Sequence, residues 1–253
     1  MSGIDPNLRL PPLGVVGLIG RSFRLLAGQF GFLFPLAFVP AVALSALSYL
    51  FAGFGAAEDP AAADPLSLGF AGAAVLFLDV LVSFVITGVM CLAALDAVLG
   101  KRHTVSEYLQ QTLRHLGPIV GLGLLVAIAT GFGVVLLIVP GLYVMARYLP
   151  WTPAVVFENA GWSGLGRGQE LTEGYRWPLV GAVALMAVIV TAILLVVGPL
   201  LFAVGDGLVA VLLEGAFTAV YYALIAVFTA LAYIRLREIK DGMSPADISA
   251  TID

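Results

Sequence analysis

The residues with the greatest chemical potential in this sequence are charged and hydroxyl side chains within otherwise apolar segments. Ionisable groups are costly in a bilayer, so they usually face protein or water and often mark a path for ions or solutes. Polar residues follow two of these charges at helical spacing. The predicted intramembrane polar core consists of Asp79, Ser83, Thr87, Arg147, Glu214, Thr218 and Tyr222.

Two interpretations of this core differ in function. In the first, Arg147 forms a structural ion pair with Glu214 or Asp79, and the hydroxyl groups make ordinary bonds between helices. In the second, spans two, four and six surround a polar cavity open to the outer side, and spans one, three and five face lipid. A third option is that Arg147 extends along its own helix to the outer membrane surface.

The composition is typical of a membrane protein. Of 253 residues, 61% are hydrophobic and 11% are charged, and the mean hydropathy is +1.06, whereas soluble domains are about 45–50% apolar and about 25% charged. The net charge of −4 argues against nucleic-acid binding. With one cysteine and two histidines, we expect no disulfide, metal or cofactor. Because no nucleophile can be paired with a base, we do not expect an enzyme.

The apolar pattern predicts an all-α membrane protein with six transmembrane helices. These spans cover residues 31–54, 68–99, 117–139, 141–157, 177–199 and 208–234. The third and fourth divide one run of 41 residues, which as a single helix would be about 62 Å long, twice the bilayer core of about 30 Å. We therefore place a tight turn at Pro140-Gly141 and expect Pro150 and Pro153 to kink or break the returning helix.

Positive charge supports this topology. Every lysine and arginine except Arg147 falls on one side of the six spans, and the connections on the other side hold only acidic charges, Glu58, Asp59, Asp64 and Asp206. The positive-inside rule assigns the basic side to the cytoplasm. We predict a single integral domain, residues 1–253, in the bacterial cytoplasmic (inner) membrane, with both termini and a tail over residues 235–253 in the cytoplasm.

Each pair of predicted spans follows a short segment that carries arginine. The first, residues 14–30, places Val15, Ile19, Phe23, Leu26 and Phe30 on one helical face. The second, residues 104–116, places Leu109, Leu113 and Leu116 on one face and opens with Thr104 and Glu107 at capping-box spacing. The third, residues 161–176, is rich in glycine, and we expect a flexible cytoplasmic loop there.

Three copies of an interfacial segment plus a helical hairpin would explain this pattern, and chance similarity among apolar sequences is the alternative. Basic amphipathic segments suit anionic lipid headgroups. The predicted headgroup-facing residues are Arg21, Arg24, Arg114, Arg167 and Arg176. The two histidines, His103 and His115, are expected to be solvated or to face headgroups.

A set of short motifs extends over the second half of the chain. It comprises Pro140, Gly141, Pro153, Glu158, Gly174 and Trp177, and then Tyr233 and Arg237 near the C-terminus. In these residues the chain resembles the membrane domain associated with glycerophosphoryl diester phosphodiesterases and the related YciC-like inner-membrane proteins. The resemblance implies a six-helix membrane protein. In this chain Gly168 follows Arg167, at a position where that family commonly has a serine. It does not imply phosphodiesterase activity, since the catalytic domain of those enzymes is a separate soluble barrel.

The sequence thus favours a non-enzymatic membrane protein that interacts with anionic lipid, or that scaffolds a protein partner or a second copy of itself. The alternative is a small transporter or channel with a polar path lined by spans two, four and six. Convergence of Asp79, Arg147 and Glu214 on one cavity would favour the alternative.

Overall fold

The protein is built from helices joined by short connections. The computed structural model describes the backbone of residues 13–57, 65–204, 207–244 and 247, and their side chains except those of residues 47–57, 65–76 and 202. Helix accounts for 88% of the described residues, and none of them forms a strand. The helices are α1 (Val15–Gly28), α2 (Phe30–Ala57), α3 (Pro65–Leu99), α4 (Val105–Arg114), α5 (Leu116–Leu136), α6 (Ile138–Tyr148), α7 (Trp151–Val156), α8 (Gly164–Thr172), α9 (Arg176–Val204) and α10 (Leu208–Lys240).

Within the described residues, four helices are long and apolar enough to cross a bilayer. They are α3 over Phe77–Leu99, α5, α9 over Arg176–Leu201, and α10. The pair α1 and α2 passes the same test together but is bent by 84° at the break between the two helices. The all-helical class is therefore confirmed, and four or five helices of the described residues are able to span a membrane; the six spans stay a prediction.

The predicted fourth span, residues 141–157, is divided between α6 and α7, which have 11 and 6 residues. The chain reverses at Leu137, whose backbone is extended, three residues before the turn expected at Pro140-Gly141. Proline is tolerated in the first turn of a helix, where its missing N–H is not needed, so Pro140 lies inside α6. Gly141 is used for close contact, because a Cβ on Gly133 of α5 would lie 2.8 Å from the Gly141 Cα.

The returning arm breaks where the sequence predicted a break. Pro150 is the N-cap of α7, and Pro153 lies within the first turn of that helix. All six residues of α7 are buried, so this short helix is covered by protein on every side. The arm is thus one exposed helix and one enclosed helix, joined at Leu149 and Pro150.

The glycine-rich segment that follows is helical, which corrects the prediction of a flexible loop. A short 3₁₀ turn, Gly161–Ser163, leads into α8. A Cβ on Gly164 would clash with Val155 of α7, and one on Gly168 would lie 3.4 Å from the Trp151 backbone. Close packing of α8 on α7 therefore outweighs the helix-propensity cost of glycine, about 1 kcal/mol per residue.

The contact between α2 and α10 is the most extensive in the bundle. Small side chains without exposed surface line it, among them Ala37 and Ala41 of α2 and Ala219 and Ala223 of α10. Small residues let helix backbones approach closely in membrane proteins. The prediction that the first span faces only lipid is therefore wrong, since one side of α2 lies in the core. By contrast, α5 and α9 expose large apolar side chains such as Val135 (84%) and Leu195 (72%).

The two short helices α1 and α4 each bury one narrow face. α1 buries Ile19 and Leu26 as predicted, but Phe23 and Phe30 of the predicted face are 37% and 43% exposed. α4 has the expected capping box, in which Thr104 and Glu107 bond each other's backbone N–H. Its buried residues are Tyr108 and Thr112, and the predicted apolar face, with Leu109 and Leu113, is exposed.

Gly215 tests the α2–α10 contact. A Cβ at this position would lie 2.5 Å from Val42 Cγ2 and 3.0 Å from the Val42 Cα, so the backbones themselves would have to separate. Gly215→Ala should reduce the free energy of unfolding in detergent by about 1–3 kcal/mol, the usual cost of overpacking. The matched control is Gly181→Ala in α9, where a Cβ meets nothing within 4 Å. Equal melting curves for the two variants would contradict this packing.

Candidate functional site

Four charged side chains and one tyrosine join the ends of α7, α8 and α10. Arg167 donates from Nε to Glu158 Oε2 (2.8 Å) and from Nη2 to Asp241 Oδ2 (2.5 Å). Arg237 Nε donates to the same Asp241 oxygen (3.0 Å) and lies 3.6 Å from Glu158 Oε1. Tyr233 donates to Glu158 Oε1 (2.7 Å) and accepts from Arg237 Nη1 (3.1 Å). We call these five residues the clasp.

The clasp is electrically neutral, because its two arginines balance its two carboxylates. Arg237 is only 6% exposed and Tyr233 is fully buried. A buried charge is tolerated when it is paired and bonded in this way. Burial lowers the pKa of Arg167, but the hydrogen bonds and charges of Glu158 and Asp241 outweigh it and raise that pKa above its usual value. The clasp therefore fixes three helix ends and leaves no net charge for a ligand.

Three residues of the sequence motif, Glu158, Tyr233 and Arg237, meet in the clasp. Sequence reasoning assigned Arg167 to lipid headgroups, but two carboxylates hold its guanidinium. Local spacing could not reveal these contacts, since 75 residues separate Glu158 from Tyr233 and 74 separate Arg167 from Asp241.

Other motif residues shape the chain around the clasp. Gly174 has a φ of +82°, a left-handed conformation that glycine adopts at little cost, and it turns the chain from α8 into α9. Trp177 follows at the start of α9, is 68% exposed, and has its ring centroid 6.0 Å from that of Tyr143 in α6.

A second polar cluster connects α3 to α4 and was not predicted. Asp96, 4% exposed, accepts a hydrogen bond from the Tyr108 hydroxyl (2.7 Å) and contacts His103 Nδ1 (2.5 Å). Burial is the main reason that the pKa of Tyr108 rises above its ordinary range. His103, expected to be solvated or to face headgroups, is thus anchored to a buried carboxylate. The usable signal was an aspartate near the end of a long apolar segment, just before the α4 capping box.

Arg147 does not pair with Glu214 or Asp79, and the predicted ion pair is wrong. Its Nη2 donates to Gln169 Oε1 in α8 (2.7 Å), and its guanidinium carbon lies 5.6 Å from the Tyr148 ring centroid. The Thr172 hydroxyl bonds the Arg147 carbonyl oxygen (2.9 Å), which ties α6 to α8. The sequence placed Arg147 among the polar residues of the spans but did not reveal its partner in α8.

Arg176, at the start of α9, lies on the same side of α6. Its Nη1 is 3.4 Å from the Tyr143 hydroxyl, and Tyr143 is one turn before Arg147. The buried Nε atoms of Arg147 and Arg176 have no hydrogen-bond partner, and no carboxylate of the described residues lies within 4 Å of either guanidinium. These two arginines therefore differ from those of the clasp, whose charges are balanced.

The remaining polar-core residues do not converge on one site. Asp79 is half-buried and Glu214 is exposed, and neither bonds another described side chain. Thr87 donates to the Ser83 carbonyl oxygen within α3 (2.8 Å). A cavity of about 250 Å³ has a mainly apolar lining that includes five hydroxyl-bearing residues of the predicted spans two, four and six, Thr87, Tyr148, Thr152, Tyr222 and Thr229. Asp79, Ser83, Arg147, Glu214 and Thr218 do not line it.

The other predicted headgroup-facing residues lie on the surface. Arg21 and Arg24 of α1 and Arg114 of α4 are exposed. Large apolar side chains beside them are also exposed, including Phe23 (37%) and Leu113 (48%). Within the described part of the chain, no group of three histidine, cysteine or acidic residues could hold a metal ion.

Comparisons with family models, curated proteins and solved structures found no match to this chain. The fold therefore defines a broad class, that of an all-helical protein whose long apolar helices are compatible with a multi-pass membrane protein.

Two arginines of α10 that are two residues apart provide a test of the clasp. Arg237→Gln removes a buried charge with several bonds, and should reduce the free energy of unfolding by roughly 1.5–3 kcal/mol, the range for hydrogen bonds to charged groups. The control is Arg235→Gln, because the Arg235 side chain is 37% exposed and its ion pair is with Glu238 on its own helix. An exposed pair of this kind contributes about 0.3–0.5 kcal/mol. Equal shifts in thermal unfolding would count against the clasp.

Proposed function

We propose that this chain is a multi-pass protein of the bacterial cytoplasmic membrane that binds anionic phospholipid at its cytoplasmic face and catalyses no reaction. The observation that carries the proposal is the surface of α1 and α4, where exposed arginines stand among exposed large apolar side chains. Such a surface suits the boundary between headgroups and acyl chains. Each arginine near an anionic membrane surface contributes about 1 kcal/mol to binding.

The opposite faces of these helices support the same placement. α1 packs its buried side chains, Leu18 and Ile19 among them, against the bundle, and α4 does so through Tyr108 and Thr112. Each short helix therefore has one face fixed to the protein and another that is both apolar and basic. A helix in water would hide its apolar groups, and a helix in the bilayer core would not carry exposed arginine.

Contacts between helix ends support six crossings with both termini on one side. Arg102, after α3, donates to Gln29, just before α2 (3.3 Å). Gln111 of α4, just before α5, donates to the Val156 carbonyl oxygen at the end of α7 (2.8 Å). The clasp likewise joins α8, which precedes α9, to the end of α10. Each outgoing helix is thus followed by a return to the same layer of short helices, which the positive-inside rule assigns to the cytoplasm.

The order of elements supports the threefold repeat and the family resemblance. A short helix followed by an outgoing and a returning arm occurs as α1–α2–α3, then as α4–α5–α6/α7, and finally as α8–α9–α10. The motif residues Glu158, Tyr233 and Arg237, which suggested the YciC-like family, act together in the clasp. Scaffolding of a protein partner or of a second copy would use the same basic face.

The cavity that includes Thr87, Tyr148, Thr152, Tyr222 and Thr229 in its mainly apolar lining favours a second candidate, transport of a small solute. Its volume of about 250 Å³ would accept only a small molecule. None of the charged residues of the predicted polar core lines it, so the continuous charged path expected of an ion pathway is missing from the described residues. Lipid binding is therefore the function that the geometry supports better.

Reporter fusions test the topology. Fusions of alkaline phosphatase after Asp64, Lys101, Asp206 and Asp253 should be active, inactive, active and inactive, because the enzyme folds only outside the cytoplasm. A matching set of cytoplasmic reporters should give the opposite pattern. An active phosphatase after Asp253 would overturn the six-crossing proposal.

Lipid retention tests the basic faces of α1 and α4. Replacing Arg21, Arg24 and Arg114 by glutamine should lower the anionic phospholipid that co-purifies with the protein severalfold, because each arginine contributes about 1 kcal/mol. The matched control replaces the same three residues by lysine, which keeps the charge and should keep most of the lipid. Unchanged lipid content in the glutamine variant, measured by mass spectrometry of extracted lipid, would refute the proposed function.

A further inference from the structure

We propose that the groove between α2, α3 and α4 is a site for one phospholipid molecule, which lays an acyl chain in the groove and its phosphate against Arg102. This inference rests on the proposed function and makes it specific, because it replaces a general attraction to anionic lipid by one defined site. It depends on two observations, the shape and lining of the groove and the position of a cation at its mouth.

The groove has a volume of about 490 Å³, within the range of about 300–1,000 Å³ typical of ligand sites. Its lining is apolar and comes from three helices, with Val39 on α2, Val89 on α3 and Leu109 on α4 as examples. Pro35 and Pro40 of α2 also line it, and neither has an N–H to complete the helix ladder. An extended hydrocarbon chain matches an open apolar groove beside a membrane helix, whereas a folded protein segment would bring backbone polar groups that the groove cannot bond.

Arg102 is exposed and stands at the end of this groove. Its Nη2 donates to Gln29 (3.3 Å), and its guanidinium carbon lies 5.5 Å from the ring centroid of Phe32, a residue of the groove wall. Both contacts are with neutral groups, and no carboxylate of the described residues lies within 4 Å of Arg102. The guanidinium of Arg102 is thus positioned by an amide and a ring, but its charge is not neutralised. A phosphate oxygen would neutralise it through a charge-assisted hydrogen bond.

The link between the cation and the groove selects the ligand. One exposed arginine in water holds free phosphate weakly, and an apolar groove alone does not distinguish among lipids. Phe32 lines the groove and also contacts Arg102. A molecule with an anionic group and a hydrocarbon chain could therefore bind Arg102 and the groove at the same time. An anionic phospholipid such as phosphatidylglycerol has this form, and free phosphate shares only its headgroup chemistry.

The experiment uses native mass spectrometry of the full chain, delipidated in detergent and titrated with phosphatidylglycerol, with phosphatidylcholine of the same acyl chains, or with inorganic phosphate. We expect one tightly bound phosphatidylglycerol, weaker binding of phosphatidylcholine, and no competition by inorganic phosphate at equal concentration. Arg102→Gln should weaken phosphatidylglycerol roughly fivefold and phosphatidylcholine less, because the choline cation already offsets the charge of its phosphate. Val39→Trp, at a groove position that is 69% exposed, should weaken both lipids.

The controls are Arg235→Gln on α10, which removes a 37% exposed arginine outside the groove, and Leu195→Trp on the exposed face of α9. Neither should change the single tight site. If Arg102→Gln or Val39→Trp binds like the wild type, or if inorganic phosphate displaces the lipid, the groove site is refuted. In that event the proposed function still stands if the variant of Arg21, Arg24 and Arg114 loses bulk anionic lipid. A wild-type protein that binds neither lipid would refute both.

Discussion

The ionic clasp of Glu158, Arg167, Arg237 and Asp241 is the interaction on which the arrangement of the helices depends. Helices already surrounded by lipid gain little hydrophobic free energy from packing against one another, so close backbone contact and polar bonds must fix their positions. The clasp supplies the polar bonds where α7, α8 and α10 end, and the glycine-mediated contacts of α8 with α7 and of α10 with α2 supply the close approach. A short, enclosed helix such as α7 is stable in this setting because both kinds of contact surround it.

Charge is divided between two roles in this molecule. In the clasp each arginine has a carboxylate partner, and the result is structural. Three other arginines are held by neutral groups, Gln169 for Arg147, Tyr143 for Arg176 and Gln29 for Arg102, so their positions are set while their charges stay available. Positioning a cation without neutralising it lowers the entropy lost when an anion binds, and this is the arrangement expected of a surface that meets phosphate groups.

The features that could be predicted from the sequence are those set by neighbours along the chain. The Thr104–Glu107 capping box and the break at Pro150 depend on a few adjacent residues, and both occur. The partner of Arg147 and the helicity of α8 depend on packing between distant segments, and both predictions failed. Glycine propensity argued against a helix at α8, but the same glycines allow it to contact α7. Periodicity reveals which face of a helix is polar, whereas only the fold determines what that face meets.

The grouping of α1, α4 and α8 at one end of the bundle has a consequence for the shape of the surrounding membrane. In the proposed orientation these helices add cross-section to the cytoplasmic leaflet, while the described residues in the opposite leaflet belong to the crossing helices. The protein is then a wedge, wider on one side, and lipids pack around a wedge with least strain where the bilayer bends away from its broad end. Such a molecule would distribute unevenly between flat and curved membrane and would itself favour curvature where many copies gather.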